Sequence, residues 1–178
     1  LAITNSHRLA KEIQSKFIEL GLDAEDDLRD STIKISGCPN SCGQHEIATI
    51  GFYGGASRIE GTMTPTYTML FGGEDGEDGV LGKSVMRVPA KRVISTIIKI
   101  IDIYRQERTA NESLAMWISK LIKGTTNSNG TAKKLDDVKA ALMETISLPS
   151  AKDDPDSYMD YGNDVKFSAK TARGECAA

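Results

Sequence analysis

Apolar residues recur at helical spacing near the start of the chain. Leu9, Ile13 and Phe17 fall four apart, behind a Ser6 that can cap a helix from His7 and ahead of a Gly21 that can end it. Asp23 to Asp30 reads as an acidic turn, and then the period changes. Thr32-Ile33-Lys34-Ile35-Ser36 alternates like a strand and runs directly into Gly37-Cys38-Pro39-Asn40-Ser41-Cys42-Gly43. Pro39 suits the first turn of a helix, where its missing N–H costs nothing, so a short helix is predicted over Asn40 to Glu46. Strands are predicted over Ala48 to Tyr53, Thr66 to Phe71 and Ser84 to Val88, with a glycine-rich acidic loop, Gly72 to Gly79, before the last.

The second half returns to the helical period. A long helix is predicted from Pro89 to about Arg108, with Val93, Ile94, Ile97, Ile98 and Ile101 as its buried face. A second runs from Ser113 to Lys123 and carries Leu114, Trp117, Ile118 and Leu121, with Trp117 in the core. Gly124 to Gly130 reads as a flexible link, Ala132 to Thr145 as a third helix, and the chain from Pro149 onward as polar and irregular. Strands and helices mix without strict alternation, which predicts an α+β fold: a small mixed sheet with helices packed on it. The expected division is a domain over residues 1–123, then a linker, helix and irregular tail over 124–178.

Composition narrows the class. At 178 residues, 39% hydrophobic and 26% charged, the chain is an ordinary globular one, long enough for a sizeable core. A net charge of −3 argues against nucleic acid as a partner, since phosphate binding needs a basic face. The longest apolar-rich stretch, Val93 to Tyr104, is interrupted by Lys99 and Asp102, so no membrane span is expected. No leader-like segment is evident, and the chain opens on Leu1-Ala2-Ile3-Thr4 in mid-pattern without an initiator Met; a fragment of a longer, cytoplasmic polypeptide is expected.

Three cysteines are too few for a disulfide framework, so Cys38 and Cys42 are candidate thiol ligands. On a helix, a spacing of four would turn both sulfurs to one side, and a helix N-terminus would favour the thiolate that binds soft metal. Gly37 and Gly43 would let the backbone approach a bulky cofactor. The alternative is two small buried residues or a disulfide. Two thiolates are also short of the four ligands that a structural zinc or a cubane cluster takes. His45 is a third-ligand candidate whose plainer role is packing; Cys176 lies far away in the tail and reads as a free thiol.

The run from Ile35 through Cys38-Pro39-Asn40-Ser41-Cys42-Gly43-Gln44 to Gly54 strongly resembles the sirohaem-dependent nitrite/sulfite reductases, which carry C-P-N-S-C-G-Q or C-P-N-G-C before a strand ending in glycine. Leu1 to Ser6, Leu81-Gly82, Val88 to Val93, Tyr161-Gly162, Phe167 and Gly174 to Ala177 extend the likeness, strongest near the cysteines and weaker after Asn111. The resemblance implies a [4Fe–4S] cluster held by four cysteines, two from an upstream pair absent here. Cys38 would be a cluster ligand, and Cys42 the ligand bridging the cluster to the sirohaem iron. It implies six-electron reduction of nitrite to ammonia or of sulfite to sulfide, with electrons from ferredoxin or a similar donor. The rest of the polypeptide would be the partner supplying the remaining ligands and the anion-binding basic residues. No catalytic residue is expected within this chain, and alone it should be inactive.

Asn40 would face the cofactor or simply serve the turn. Gln44 follows the motif and reads as packing or surface. Lys91 and Arg92 would pair with sirohaem carboxylates or lie exposed at a helix start, the second being the plainer reading. Glu74, Asp75, Glu77 and Asp78 fit a solvated turn better than a cation site. Two rival functions stay open: a related sirohaem-type enzyme of corrinoid biosynthesis, and a zinc or redox-sensing module built on Cys38 and Cys42.

Overall fold

A computed structural model describes residues 2–77, 79–124 and 134–168. Four strands, β1 (Ile33–Ser36), β2 (Ile50–Ile59), β3 (Thr62–Phe71) and β4 (Lys83–Pro89), lie side by side in chain order. β1 runs parallel to β2 with Ile35 opposite Phe52, and the other neighbours are antiparallel. With α1 (Ser6–Leu20), α2 (Val93–Glu107), α3 (Leu114–Lys123) and α4 (Leu135–Ile146), this is the α+β architecture the patterning predicts.

Two adjustments have local causes. The cap of α1 is Asn5, not Ser6: the Asn5 side-chain oxygen accepts from the Arg8 N–H at 3.0 Å. The long helix starts later than expected, because Pro89 closes β4 and Ala90–Arg92 form a short 3-10 turn before Val93.

β2 and β3 are each ten residues long, well beyond the expected segments, and pair without a break from Ile50↔Phe71 to Ile59↔Thr62. Their outer halves carry Gly54, Gly55, Ser57 and Pro65, poor strand formers that cross-strand pairing holds in place. The hairpin turns on Glu60 (φ 47°) and Gly61 (φ 78°), the two-residue left-handed turn that matches strand twist.

One face of the sheet supplies Ile50, Phe52, Tyr67, Met69, Phe71 and Val88 to the core. α2 covers it with Val93, Ile97, Ile100, Ile101 and Tyr104; α4 packs on this helix too, and of the predicted face Ile94 and Ile98 are only half-buried while Thr96 and Ile103 are buried instead. Val138 and Leu142 of α4 are fully buried in that same core. Trp117 of α3 is buried against Tyr104, ring centroids 5.9 Å apart.

Parallel neighbours need a crossover rather than a tight turn. Between β1 and β2 that crossover runs from Gly37 to Thr49 and contains both cysteines, so the topology places them at the carboxyl end of an edge strand.

Candidate cluster-binding loop

The crossover does not form the helix predicted over Asn40 to Glu46. Ser41 and Gln44 have φ of 57° and 54°, which no right-handed helix accommodates, and only His45–Ile47 makes a single 3-10 turn. One side-chain and one backbone hydrogen bond decide this conformation. The Ser36 hydroxyl accepts from the Gly43 N–H at 3.0 Å, and the Gln44 N–H donates to the Ser41 carbonyl at 2.8 Å. Cys38 and Cys42 therefore sit in consecutive turns rather than on one helix face, and a helix dipole has no part in their chemistry.

The motif glycines serve the chain itself. A Cβ on Gly43 would lie 2.3 Å from the Ile35 carbonyl oxygen, and one on Gly37 2.8 Å from that of Thr4. On Gly51, in the following strand, a Cβ would come within 1.9 Å of the His45 carbonyl oxygen. The close approach expected toward a cofactor is thus made between backbone and backbone, and it compacts the crossover against β1 and β2.

Both cysteines are free thiols. Cys38 is 7% exposed and Cys42 is exposed, its Sγ directed at the Asn40 carbonyl 4.0 Å away. Asn40 lies exposed on the turn between them. One loop thus presents two soft donors, half of what a cubane cluster takes, and the donor chemistry fits that group.

His45 is not arranged as a third ligand. It is 1% exposed, its Nδ1 lies 2.8 Å from the Ser36 hydroxyl and its ring packs on Tyr53 with centroids 5.0 Å apart. With one proton and two lone pairs, the Ser36 hydroxyl can accept from Gly43 and also bond Nδ1 in either neutral tautomer. Burial pulls the His45 pKa below its ordinary value, against a smaller opposing effect of Glu46, so the ring is a neutral strut at pH 7. Among the described residues no three His, Cys, Asp or Glu side chains gather as a metal site.

The remaining candidates are dispersed. Gln44 is exposed and accepts from the Lys34 ammonium at 3.3 Å. Lys91 and Arg92 are half-buried and engaged within the chain: the Lys91 ammonium sits 4.7 Å over the Tyr161 ring, and Arg92 Nε donates to the Ser147 carbonyl at 3.0 Å. Glu74, Asp75 and Glu77 are exposed around the Glu74↔Val80 bridge, as a solvated turn requires. Asp78, Cys176 and most of the link at 124–130 lie outside the described residues.

Patterning gave no sign of Ser36 as the residue that ties the loop together. Ser36 falls on the polar phase of the alternation, so nothing local set it apart.

Residues 3–121 match the family described as the nitrite and sulphite reductase 4Fe-4S domain, and the chain belongs to that family. It is 27% identical over 104 residues to the assimilatory ferredoxin-dependent nitrite reductase of Haloferax mediterranei, a match covering 58% of this chain and 18% of that protein. It is 43% identical over 70 residues to the ferredoxin–nitrite reductase of Synechococcus elongatus, covering 39% and 14% respectively. Less than a fifth of each of these relatives is spanned. In fold it is similar to the NirA protein of Mycobacterium tuberculosis, with a TM-score of 0.57 and 24% identity over 73% of this chain and 22% of that one. Among the described residues no helix is long and apolar enough to cross a membrane.

Proposed function

We propose that this chain is the carboxyl-terminal, cluster-binding part of an assimilatory sirohaem reductase, with nitrite as the substrate, ammonia as the product and ferredoxin as the donor. Sulfite reduction is the alternative substrate reading. The observation that carries this is the pair Cys38 and Cys42 on one loop inside a 4Fe-4S-family domain. The relatives' names, all ferredoxin-dependent nitrite reductases, favour nitrite.

Cys38 and Cys42 would hold two corners of the cluster, with Cys42 also the ligand shared with sirohaem iron. Asn40, exposed between them, would face the cofactor. When bound, these groups supply the single-electron steps that no side chain can perform. The chain's own work is positional: Ser36, His45 and the backbone contacts at Gly43 and Gly51 shape the loop that carries the two cysteines. Thiolate ligands require a reducing compartment, consistent with the cytoplasm. We keep residues 1–123 as the cluster-binding unit and 124–178 as its appendage, and we take the isolated chain to be inactive because half the ligand set lies elsewhere in the polypeptide.

The test is made on the full-length polypeptide, reconstituted anaerobically. Cys38→Ser and Cys42→Ser should each lower cluster iron and the reduced-state EPR signal at least tenfold. Variants that keep the parent's iron content and spectrum would overturn the assignment.

A further inference from the structure

The segment after α4 returns to the start of the chain, and it does so beyond the residues matched to the family. The Asp160 carboxylate is 3% exposed and accepts two backbone N–H bonds, from Asn5 at 2.7 Å and from Tyr161 at 2.9 Å. Asn5 belongs to a short run that grips the cysteine loop. The Ile3 N–H, the Thr4 N–H and the Thr4 hydroxyl all donate to the Gly37 carbonyl, at 2.8, 3.1 and 3.3 Å. Gly37 directly precedes Cys38.

The contact is buried and anchored at several points. Thr4 is 2% exposed, and a Cβ on Gly54 would lie 1.9 Å from its hydroxyl oxygen and 2.4 Å from the Gly37 carbonyl oxygen. Tyr158 is 3% exposed and its hydroxyl donates to the Pro149 carbonyl at 2.9 Å. Lys91 over Tyr161 and Arg92 on Ser147 tie the returning segment to the start of α2. Burial, and next the Asp160 charge, hold the Tyr67 phenol well above its ordinary pKa against a smaller opposing effect of Thr4.

We propose that residues 149–168 act as a strap and that Asp160 is a positioning residue for the cysteine loop, holding Thr4 and Asn5 in place so that they in turn fix Gly37 and the buried Cys38. The chain of contacts runs Asp160, Asn5, Thr4, Gly37, Cys38. Asp160 touches neither cysteine. The meaning of the strap for a cofactor rests on the ligand assignment above, but its mechanical action does not. Charge-assisted bonds are the stronger ones, so the Asp160–Asn5 bond is the link whose loss should be felt.

Asp160→Ala and Asp160→Asn in the full-length apo polypeptide test this, with two readouts that do not need iron. Amide hydrogen exchange at Ile3, Thr4 and Asn5 should quicken about tenfold in Asp160→Ala and less in Asp160→Asn, which keeps one acceptor. Alkylation of Cys38 should quicken by a similar factor while Cys42, already exposed, keeps its rate. Unchanged exchange at residues 3–5, or Cys38 and Cys42 accelerating together in step with a general loss of stability, would overturn the proposal. If Asp160→Ala does not fold, the Asp160→Asn pair of measurements decides: a selective rise at Cys38 supports the strap and no rise refutes it. Iron retention after reconstitution is scored separately. Cys38 opening without iron loss in the variants would count against the ligand assignment and leave the strap standing.

Discussion

Replacing Ser36 with alanine removes one oxygen and two hydrogen bonds from the centre of the cysteine loop. The hydroxyl accepts from Gly43 N–H at 3.0 Å and shares a hydrogen bond with His45 Nδ1 at 2.8 Å. Gly43 is half-buried, so water can replace its partner in part, and that loss is about 1 kcal/mol. His45 is 1% exposed, and a buried polar atom left without its partner costs about 1–3 kcal/mol. The sum, about 2–4 kcal/mol, corresponds to a fall in Tm of roughly 5–15 °C for a domain of this size. Urea and thermal unfolding of Ser36→Ala measure it, with the exposed Ser84→Ala as control, expected within about 0.5 kcal/mol. The nitrogen NMR shifts of His45 should also differ between parent and variant, because Nδ1 loses its partner. A Ser36→Ala protein as stable as the control, with an unchanged His45 spectrum, would refute the idea that this hydroxyl organises the loop.

Other expectations rest on separate contacts. His45 has a lowered pKa in the fold, so the unfolded chain binds the proton first; stability should be full above the ordinary value of 6.5 and fall as pH drops below it, a limb that His45→Gln should flatten in pH-dependent unfolding. Gly51→Ala would drive a Cβ into the His45 backbone and should cost more than about 3 kcal/mol, against about 1 kcal/mol for Gly61→Ala, which meets only open space at a left-handed turn; chemical denaturation separates the two. Lys120→Met strips the cationic partner, 2.5 Å away, from a Glu112 side chain that is 1% exposed and keeps only its Thr109 bonds, and should destabilise by about 3 kcal/mol, part of which Glu112→Gln in the same chain should restore. Although burial pushes the Glu112 pKa up, its bonds from Lys120 and Thr109 outweigh that and hold it below the ordinary 4.5; its contribution should be present above that value and lost as pH falls below it.

Local sequence was sufficient where a property belongs to a few neighbouring residues. The alternation at Ile33 to Ser36, the four-residue spacing in α1 and the apolar stripes of α2 and α3 set those elements, because burying one face is what a period of two or 3.6 encodes. Cys38, Asn40 and Cys42 drew attention by their motif alone. What needed the tertiary structure was every feature made by residues far apart in the chain. The outer halves of β2 and β3 are strand because each pairs with the other, against the preferences of Gly54, Gly55 and Pro65. The cysteine loop is a pair of turns because Ser36 takes the Gly43 N–H and because Gly43 and Gly51 bring separated backbones into contact. Asp160 reaches Asn5 across almost the whole chain, a juxtaposition that no window of sequence contains. Composition and motif thus determined which chemistry the loop can offer; the parallel β1–β2 crossover and its hydrogen bonds decided how the two sulfurs are held, since register and side-chain bonding are set only when distant segments meet.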